Sequence, residues 1–412
     1  MSTSLINIKC LVNVRKESRL LSGKELAVLP VLGNAYLIIE GDEIAGYGQM
    51  ADYKKSSAKN VFDASGKFII PAWCDSHTHL VYPASREDEF VDKIRGISYA
   101  EIAARGGGIL NSARRLENMS EEALYANAWK RLEEVAKLGT GSIEIKSGYG
   151  LSVEAELKML RVIRRLQQKS KLLIRSTFLG AHTYPSAYKE NHPGYIRLII
   201  EEMLPVIQKE KLADYIDVFC EEGFFSREET EIICKAGMKH GLIPKIHANQ
   251  LSRSGGVQAG ISVGARSVDH LESIGEEEIK LLAGNTSTIC TLLPAAAFFL
   301  RMPMQPARIL IDAGATVAIA SDYNPGSAPS GNMNFVVALS CIQMKMYPEE
   351  AINAATINGA YAMDLGETAG SITIGKKANL ILTKEIPSLA YLPYSFGSNC
   401  IDRVMIGGEW LS

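Results

Sequence analysis

At 412 residues the chain is longer than one small core requires, so a large domain with a smaller companion is expected. Hydrophobic residues make up 47% and charged residues 22%, the balance of an ordinary soluble globular protein. A formal net charge of −2, without a long Lys/Arg run, excludes a polyelectrolyte partner such as nucleic acid and points to a small-molecule substrate.

Seven cysteines (Cys10, Cys74, Cys220, Cys234, Cys290, Cys341 and Cys400) are scattered, with no Cys-x-x-Cys pair, which suits reduced thiols better than a disulfide framework. Met1-Ser2-Thr3-Ser4-Leu5-Ile6 lacks a basic region followed by a long apolar core, so no signal peptide is expected. No uninterrupted apolar segment is long enough to span a bilayer. The expected location is cytoplasmic, with no membrane partner.

Residues 1–69 carry short β-like runs between turn residues. Ala35–Glu40, the Gly41-Asp42 turn, Glu43–Gly48 and Val61–Asp63 fit a small antiparallel sheet. The apolar run Phe68-Ile69-Ile70-Pro71-Ala72-Trp73-Cys74 then reads as a buried strand that ends in His77-Thr78-His79. On an extended chain, residues two apart point to the same face, so both imidazoles can reach one ion. Taken alone, the pair also fits two polar residues at a strand end.

From there apolar strands alternate with amphipathic helical stretches. The further strands expected are Ser142–Ile145, Leu172–Leu179, Tyr215–Cys220, Ile243–His247, Ser267–His270, Thr288–Leu292 and Thr316–Asp322. Eight parallel strands with intervening helices predict an α/β fold, a (β/α)8 TIM-like barrel. The first interval, residues 80–140, exceeds a simple crossover, and Gly106-Gly107-Gly108 reads as a hinge for a loop over the site. After a last helix over about Pro348–Leu365, Gly370–Leu382 and Asp402–Trp410 return to β character. Both chain ends should therefore build one small β-sandwich domain. The expected division is residues 1–69 and 365–412 in the sandwich and 70–364 in the barrel.

Functional groups of such a barrel collect at the C-terminal ends of its strands. His77, His79, His182, His247 and His270 fall there, with Asp322 on the eighth strand, whereas His192 and His240 fall outside. Singly, each inner histidine also fits a hydrogen-bonded core residue. Five of seven histidines at strand ends argue for a metal site.

These residues resemble the metal-dependent amidohydrolase superfamily. The matching segments run through His77–Leu80 with Ser85-Arg86-Glu87, Ile145–Leu151, Thr177–His182, Val218–Gly223, Asp269–Glu272 and Asp322–Ser327. Within it, the chain is most similar to members that open the imidazolone ring in histidine degradation and release N-formimidoyl-glutamate. The resemblance implies His77, His79, His247 and Asp322 as ligands of one zinc or iron ion, with a position left for an acidified water. Zinc and iron remain equally open. His270 and Asp322 are the implied proton-transfer groups. A fourth strand ending Phe219-Cys220-Glu221 offers no bridging lysine, so a single ion is expected.

The implied substrate is a planar cyclic amide bearing a propionate. Arg86 matches a carboxylate-binding position. Tyr149 and His182 match contacts to the ring and carboxylate, and Gln250 a contact to the ring amide. Asn324, Gly326 and Ser327 match further substrate contacts, although Asn-Pro-Gly is also a turn sequence. Family analogy alone implies a homodimer. The chain departs from the superfamily at Ala72-Trp73-Cys74, where Gly and small aliphatics are usual, and at Asn379, where Asp is common.

Three alternatives compete with this reading. Aminohydrolases of the superfamily commonly carry a glutamate three residues after the third histidine, and Gln250 stands there. An amide cannot shuttle protons at neutral pH, which argues against deamination. Hydantoinase-like hydrolysis would favour the missing lysine. A non-catalytic binding barrel would tolerate loss of a ligand, and none is lost.

Overall fold

Two eight-stranded sheets organise the chain, and the backbone crosses between them twice. The computed structural model describes residues 2–54, 60–97, 101 and 107–411. The first sheet takes β1 (Ser2–Val12), β2 (Val31–Glu40), β3 (Glu43–Gln49), β4 (Asn60–Asp63) and β5 (Lys67–Pro71) from the N-terminal end. The C-terminal end adds β14 (Leu380–Glu385), β15 (Ile401–Ile406) and β16 (Glu409–Trp410). This terminal sheet has its own core around Leu5, Ile8, Leu37, Ile39, Ile69, Leu380 and Met405. The left-handed backbone of Gly407 and Gly408 (φ 56° and 75°) makes the tight turn between its last two strands.

The second sheet is parallel: β6 (Trp73–Asp75), β7 (Thr140–Lys146), β8 (Leu173–Ala181), β9 (Tyr215–Cys220), β10 (Ile243–Ala248), β11 (Ser267–His270), β12 (Ile289–Leu292) and β13 (Val317–Ile319), in sequential order. Helices cover it outside and side chains fill it inside, so its strands are buried on both faces; every residue of β7 and β9 is buried. The ends of the sheet meet just past β6 and β13. There Asp322 N–H donates to the His77 carbonyl at 3.0 Å and His79 N–H to the Tyr323 carbonyl at 2.9 Å. The closing seam of the barrel thus carries three of the expected ligands. No helix among the described residues is long and apolar enough to cross a membrane.

Three expectations need correction. The run from Phe68 is not one strand. Lys67–Pro71 pairs with β1 and β14 in the terminal sheet, and only Trp73–Asp75 belongs to the barrel. A continuous apolar run does not reveal which of two sheets it joins, because both environments are buried. The helix expected over Pro348–Leu365 is broken: Pro348–Asn353 passes through a widened π turn at Ala354–Asn358 to Gly359–Tyr361. In the tail, Gly370–Leu382 is strand only from Leu380.

The long first interval holds helices Glu87–Ile94, Ile109–Glu117 and Glu121–Lys137. Of the expected glycine hinge, Gly106 lies outside the described residues. Gly108 begins the second helix with φ 78°, and its N–H donates to Glu89 Oε1 at 2.9 Å. Asn379 ties the two sheets together. Its amide donates to the Gly141 carbonyl at 3.2 Å and accepts from Gly407 N–H at 2.7 Å, a double duty that an aspartate could not perform.

Candidate active site

His77, His79, His247 and Asp322 converge at the barrel's C-terminal mouth, all buried. His79 Nε2 and His247 Nε2 face each other at 3.4 Å. Asp322 Oδ1 lies 3.5 Å from His77 Nε2 and 3.6 Å from His79 Nε2. Four donors about 2.1 Å from one tetrahedral ion stand about 3.4 Å apart, so these spacings fit a single cation. His77 Nε2 has no hydrogen-bond partner among the described residues although it is fully buried. Such an orphan is costly unless something else occupies its lone pair.

The outer nitrogens explain why the inner ones point inward. His77 Nδ1 lies 2.6 Å from Asp269 Oδ2, and His247 Nδ1 lies 2.9 Å from Asp217 Oδ2. Opposite a carboxylate, Nδ1 carries the proton and Nε2 is left as the donor atom; at His77 this is a hydrogen bond, whereas His247 Nδ1 meets Asp217 Oδ2 at contact distance without hydrogen-bond alignment. Burial, reinforced by Lys146 and the neighbouring imidazoles, pushes His77 well below the usual histidine range. Burial together with His182 and His247 does the same to His79. Both are therefore neutral, as ligation requires. Burial pushes Asp322 and Asp269 up from the usual carboxylate range, a penalty that a cation at the mouth would offset.

His270 stands beside this group, and its nitrogen could also join His77 and Asp322 around an ion. Its Nδ1 is 3.4 Å from Glu272 Oε1, and Gln305 Nε2 donates to the same oxygen at 2.9 Å. Burial disfavours the imidazolium, yet Glu272, Asp322 and Asp269 together hold His270 above the ordinary value. The backbone is left-handed at His270 (φ 85°) and Asp322 (φ 53°), strain that only a well-packed frame maintains.

Above the donors opens a cavity of about 440 Å³. Every expected site residue except His77 lines it; His77 forms the layer beneath. His182 Nδ1 faces the Gly148 carbonyl at 3.0 Å, and burial beside His247 pulls its pKa down to about 3. It is a neutral ring with Nε2 available as an acceptor. Tyr149 sits on a loop pinned by Glu156, which accepts from Gly148, Gly150 and Leu151 N–H at 3.0, 2.6 and 3.0 Å.

The Asn324–Ser327 loop has a different character. The Asn324 amide is consumed within it, donating to the Asp322 carbonyl (2.6 Å) and Ser327 Oγ (2.7 Å) and accepting from Gly326 and Ser327 N–H (2.8 Å each). Ser327 Oγ in turn donates to Asp322 Oδ2 at 3.1 Å, which turns Oδ1 toward the histidines. Arg86 Nε and Nη2 donate to Ser112 Oγ at 3.1 and 2.9 Å, and the guanidinium carbon lies 5.7 Å from the centre of the Tyr149 ring. A Cβ on Gly326 would lie 2.6 Å from Arg86 Nη1, so glycine leaves room for the arginine.

Sequence reasoning missed Asp217, Glu156 and Lys146, whose side chains reach other side chains or loop backbone rather than the cavity. It also missed Lys93, whose Nζ lies 3.5 Å from the Gly326 carbonyl. For Asp269 the available signal was its place next to His270 at the end of β11; Asp217, in the middle of β9 and far in sequence from His247, offered none.

Barrel and site together define an amidohydrolase, and the sequence pattern of the Amidohydrolase family matches residues 68–411. The fold is similar to Escherichia coli guanine deaminase (TM-score 0.73, 13% identity, 100% of this chain and 99% of that one). It is equally similar to the atrazine chlorohydrolase of Arthrobacter aurescens TC1 complexed with zinc (TM-score 0.72, 13% identity, 99% and 95%). At such identities the likeness speaks to the fold alone. Sequence relatives are far nearer. The imidazolonepropionase of Flavobacterium johnsoniae is 57% identical over 99% of this chain and 100% of its own length. That of Alkaliphilus oremlandii is 40% identical over 98% and 96%. The chain belongs to the imidazolonepropionase family, and its clustered donors mark a metal-ion site.

Proposed function

We propose that the chain hydrolyses 4-imidazolone-5-propanoate to N-formimidoyl-L-glutamate, the ring-opening step of histidine degradation. What carries this reading is one cavity with histidine and aspartate donors on its floor and a guanidinium on its wall. The near-full-length identity to imidazolonepropionases supports it. His77, His79, His247 and Asp322 would hold one zinc or iron ion. When bound, the ion supplies a Lewis acid that acidifies water and polarises the ring carbonyl.

The chain's own residues do the rest. Arg86 takes the propionate, and its Ser112 bonds fix the guanidinium plane. Tyr149, His182 and Gln250 hold the ring, His182 through Nε2 as acceptor for a ring N–H. Water oxygen joins the carbonyl carbon, the ring C–N bond breaks, and the departing nitrogen gains a proton. His270, steadied by Glu272, takes the water proton and returns one to that nitrogen, with Asp322 sharing the traffic. Cytoplasmic location, expected from the scattered cysteines and the lack of a signal-like segment, and a homodimer, implied by family analogy alone, belong to the same proposal.

The test is the ultraviolet decay of imidazolone propanoate with the purified protein, with N-formimidoyl-glutamate identified as product. Turnover of other cyclic amides but not of this one would discard the substrate while keeping the hydrolase. Arg86→Ala should raise KM roughly 10- to 100-fold, the weight of one charge-assisted contact, with kcat little changed. Gly326→Ala should move KM the same way by displacing the guanidinium. An unchanged KM in Arg86→Ala would remove the carboxylate role.

A further inference from the structure

Below the donors lies a group of charges that substrate cannot reach. Lys146 and Lys245 are fully buried with Glu144, Asp217 and Asp269. Lys146 Nζ is 2.8 Å from Asp217 Oδ2, 3.7 Å from Asp269 Oδ2 and 2.5 Å from Glu144 Oε1. Asp217 Oδ2 is the oxygen that faces His247 Nδ1, and Asp269 Oδ2 the one that faces His77 Nδ1. One ammonium therefore stands a single oxygen away from two donors on different segments. Its own backbone N–H donates to the Thr78 carbonyl at 2.9 Å, which fixes it against the His77-x-His79 segment.

Lys245 adds its charge to the field at Asp269 but contacts neither Asp217 nor Asp269. Its Nζ contacts Glu144 Oε2 and the Ser76 and Ala362 carbonyls.

We propose that Lys146 is a positioning residue for the metal: its ammonium holds Asp217 and Asp269 against the outer nitrogens of His247 and His77, and so sets metal affinity. The inference rests on the proposed ligand set. Lys146 touches neither substrate nor ion. Removing it takes away the cation that Asp217 Oδ2 and Asp269 Oδ2 share; Asp217 keeps only the His247 backbone N–H on Oδ1 at 3.1 Å, and the aim of both imidazoles loosens together. Each such partner ordinarily accounts for about 10- to 100-fold in affinity.

The test is zinc affinity of the full-length protein by competition with a chromophoric chelator. Lys146→Met should weaken zinc binding by about 10²- to 10⁴-fold, two partners' worth, while KM at saturating zinc stays within about twofold. Lys146→Arg, which keeps the charge, should recover part of the loss. A folded Lys146→Met with wild-type zinc affinity would overturn the inference. Should that variant not fold, Asp217→Asn, Asp269→Asn and their double variant decide it. A shared lysine makes their effects on affinity depart from the product of the singles by about twofold or more, whereas a simple product means independent partners and no hub. His247→Ala is the control for the ligand set. If it leaves affinity unchanged, the ligand reading falls and the Lys146 inference with it; if it abolishes tight binding while Lys146→Met does not, only the inference falls.

Discussion

His270→Ala should lower kcat by about 10²- to 10⁴-fold while zinc content per chain stays unchanged. The size follows from the loss of a positioned proton carrier. Without it, water must give up its proton to bulk solvent and the departing nitrogen must recover one from there. The separation of effects follows from geometry. The pairs His79–His247, His77–Asp322 and His79–Asp322 are spaced at 3.4 to 3.6 Å without help from His270. His270 is instead aimed by Glu272 at 3.4 Å and, through Glu272, by Gln305. Glu272→Gln should therefore reproduce a fraction of the loss, because an amide still fills the site but no longer favours the imidazolium. Because His270 also lies within reach of His77 and Asp322, metal analysis of the alanine variant is decisive. Loss of bound zinc together with kcat would make His270 a ligand rather than a proton carrier.

The strand-end residues were readable because a barrel gives sequence position a spatial meaning: whatever follows a barrel strand faces the mouth. His182 follows Ala181 at the end of β8, and His247 and His270 lie at the ends of β10 and β11, so sequence position alone puts each at the mouth. The family motifs added Arg86 and the Asn324–Ser327 loop, which periodicity alone would have left as a helix start and a turn. The buried charges escaped for the opposite reason. Lys146 and Lys245 end or interrupt apolar strands, where a lysine reads as a strand residue at the surface. Only the ring of strands reveals that Glu144, Lys146, Asp217 and Lys245 point at one another. Glu156 was hidden differently, since its helix continues past the Tyr149 loop and its carboxylate reaches back to backbone N–H groups. The misplaced strand at Lys67–Pro71 has a related cause. Burial is what the pattern reports, and both sheets bury that run.

Removing the metal should abolish turnover and also lower the melting temperature, with zinc or ferrous ion restoring both. The loss of turnover needs only the missing Lewis acid. The loss of stability is the more specific expectation, because it depends on how the site is built. Without the ion, His77 Nε2 is buried with no hydrogen-bond partner among the described residues, and Asp322 sits where burial already resists its ionisation. A ligand that binds only the folded state adds about 4 kcal/mol at a concentration 1,000 times its Kd. In a chain of this size that corresponds to a shift of several degrees or more. The direction with pH can be worked out as well. Asp322 is raised in the folded apo protein by burial, so its ionisation opposes folding as pH rises through the carboxylate range; bound metal reverses this by favouring the anion. The gain in melting temperature on adding zinc should consequently grow as pH rises through the range in which Asp322 ionises, above the ordinary carboxylate value, since a proton on Asp322 competes with the ion at the lower end. Calorimetry of apo and zinc-loaded protein across that interval checks it. Equal melting temperatures with full recovery of activity would mean that the donors are held in place by the barrel frame alone, and that the ion contributes chemistry but no stability.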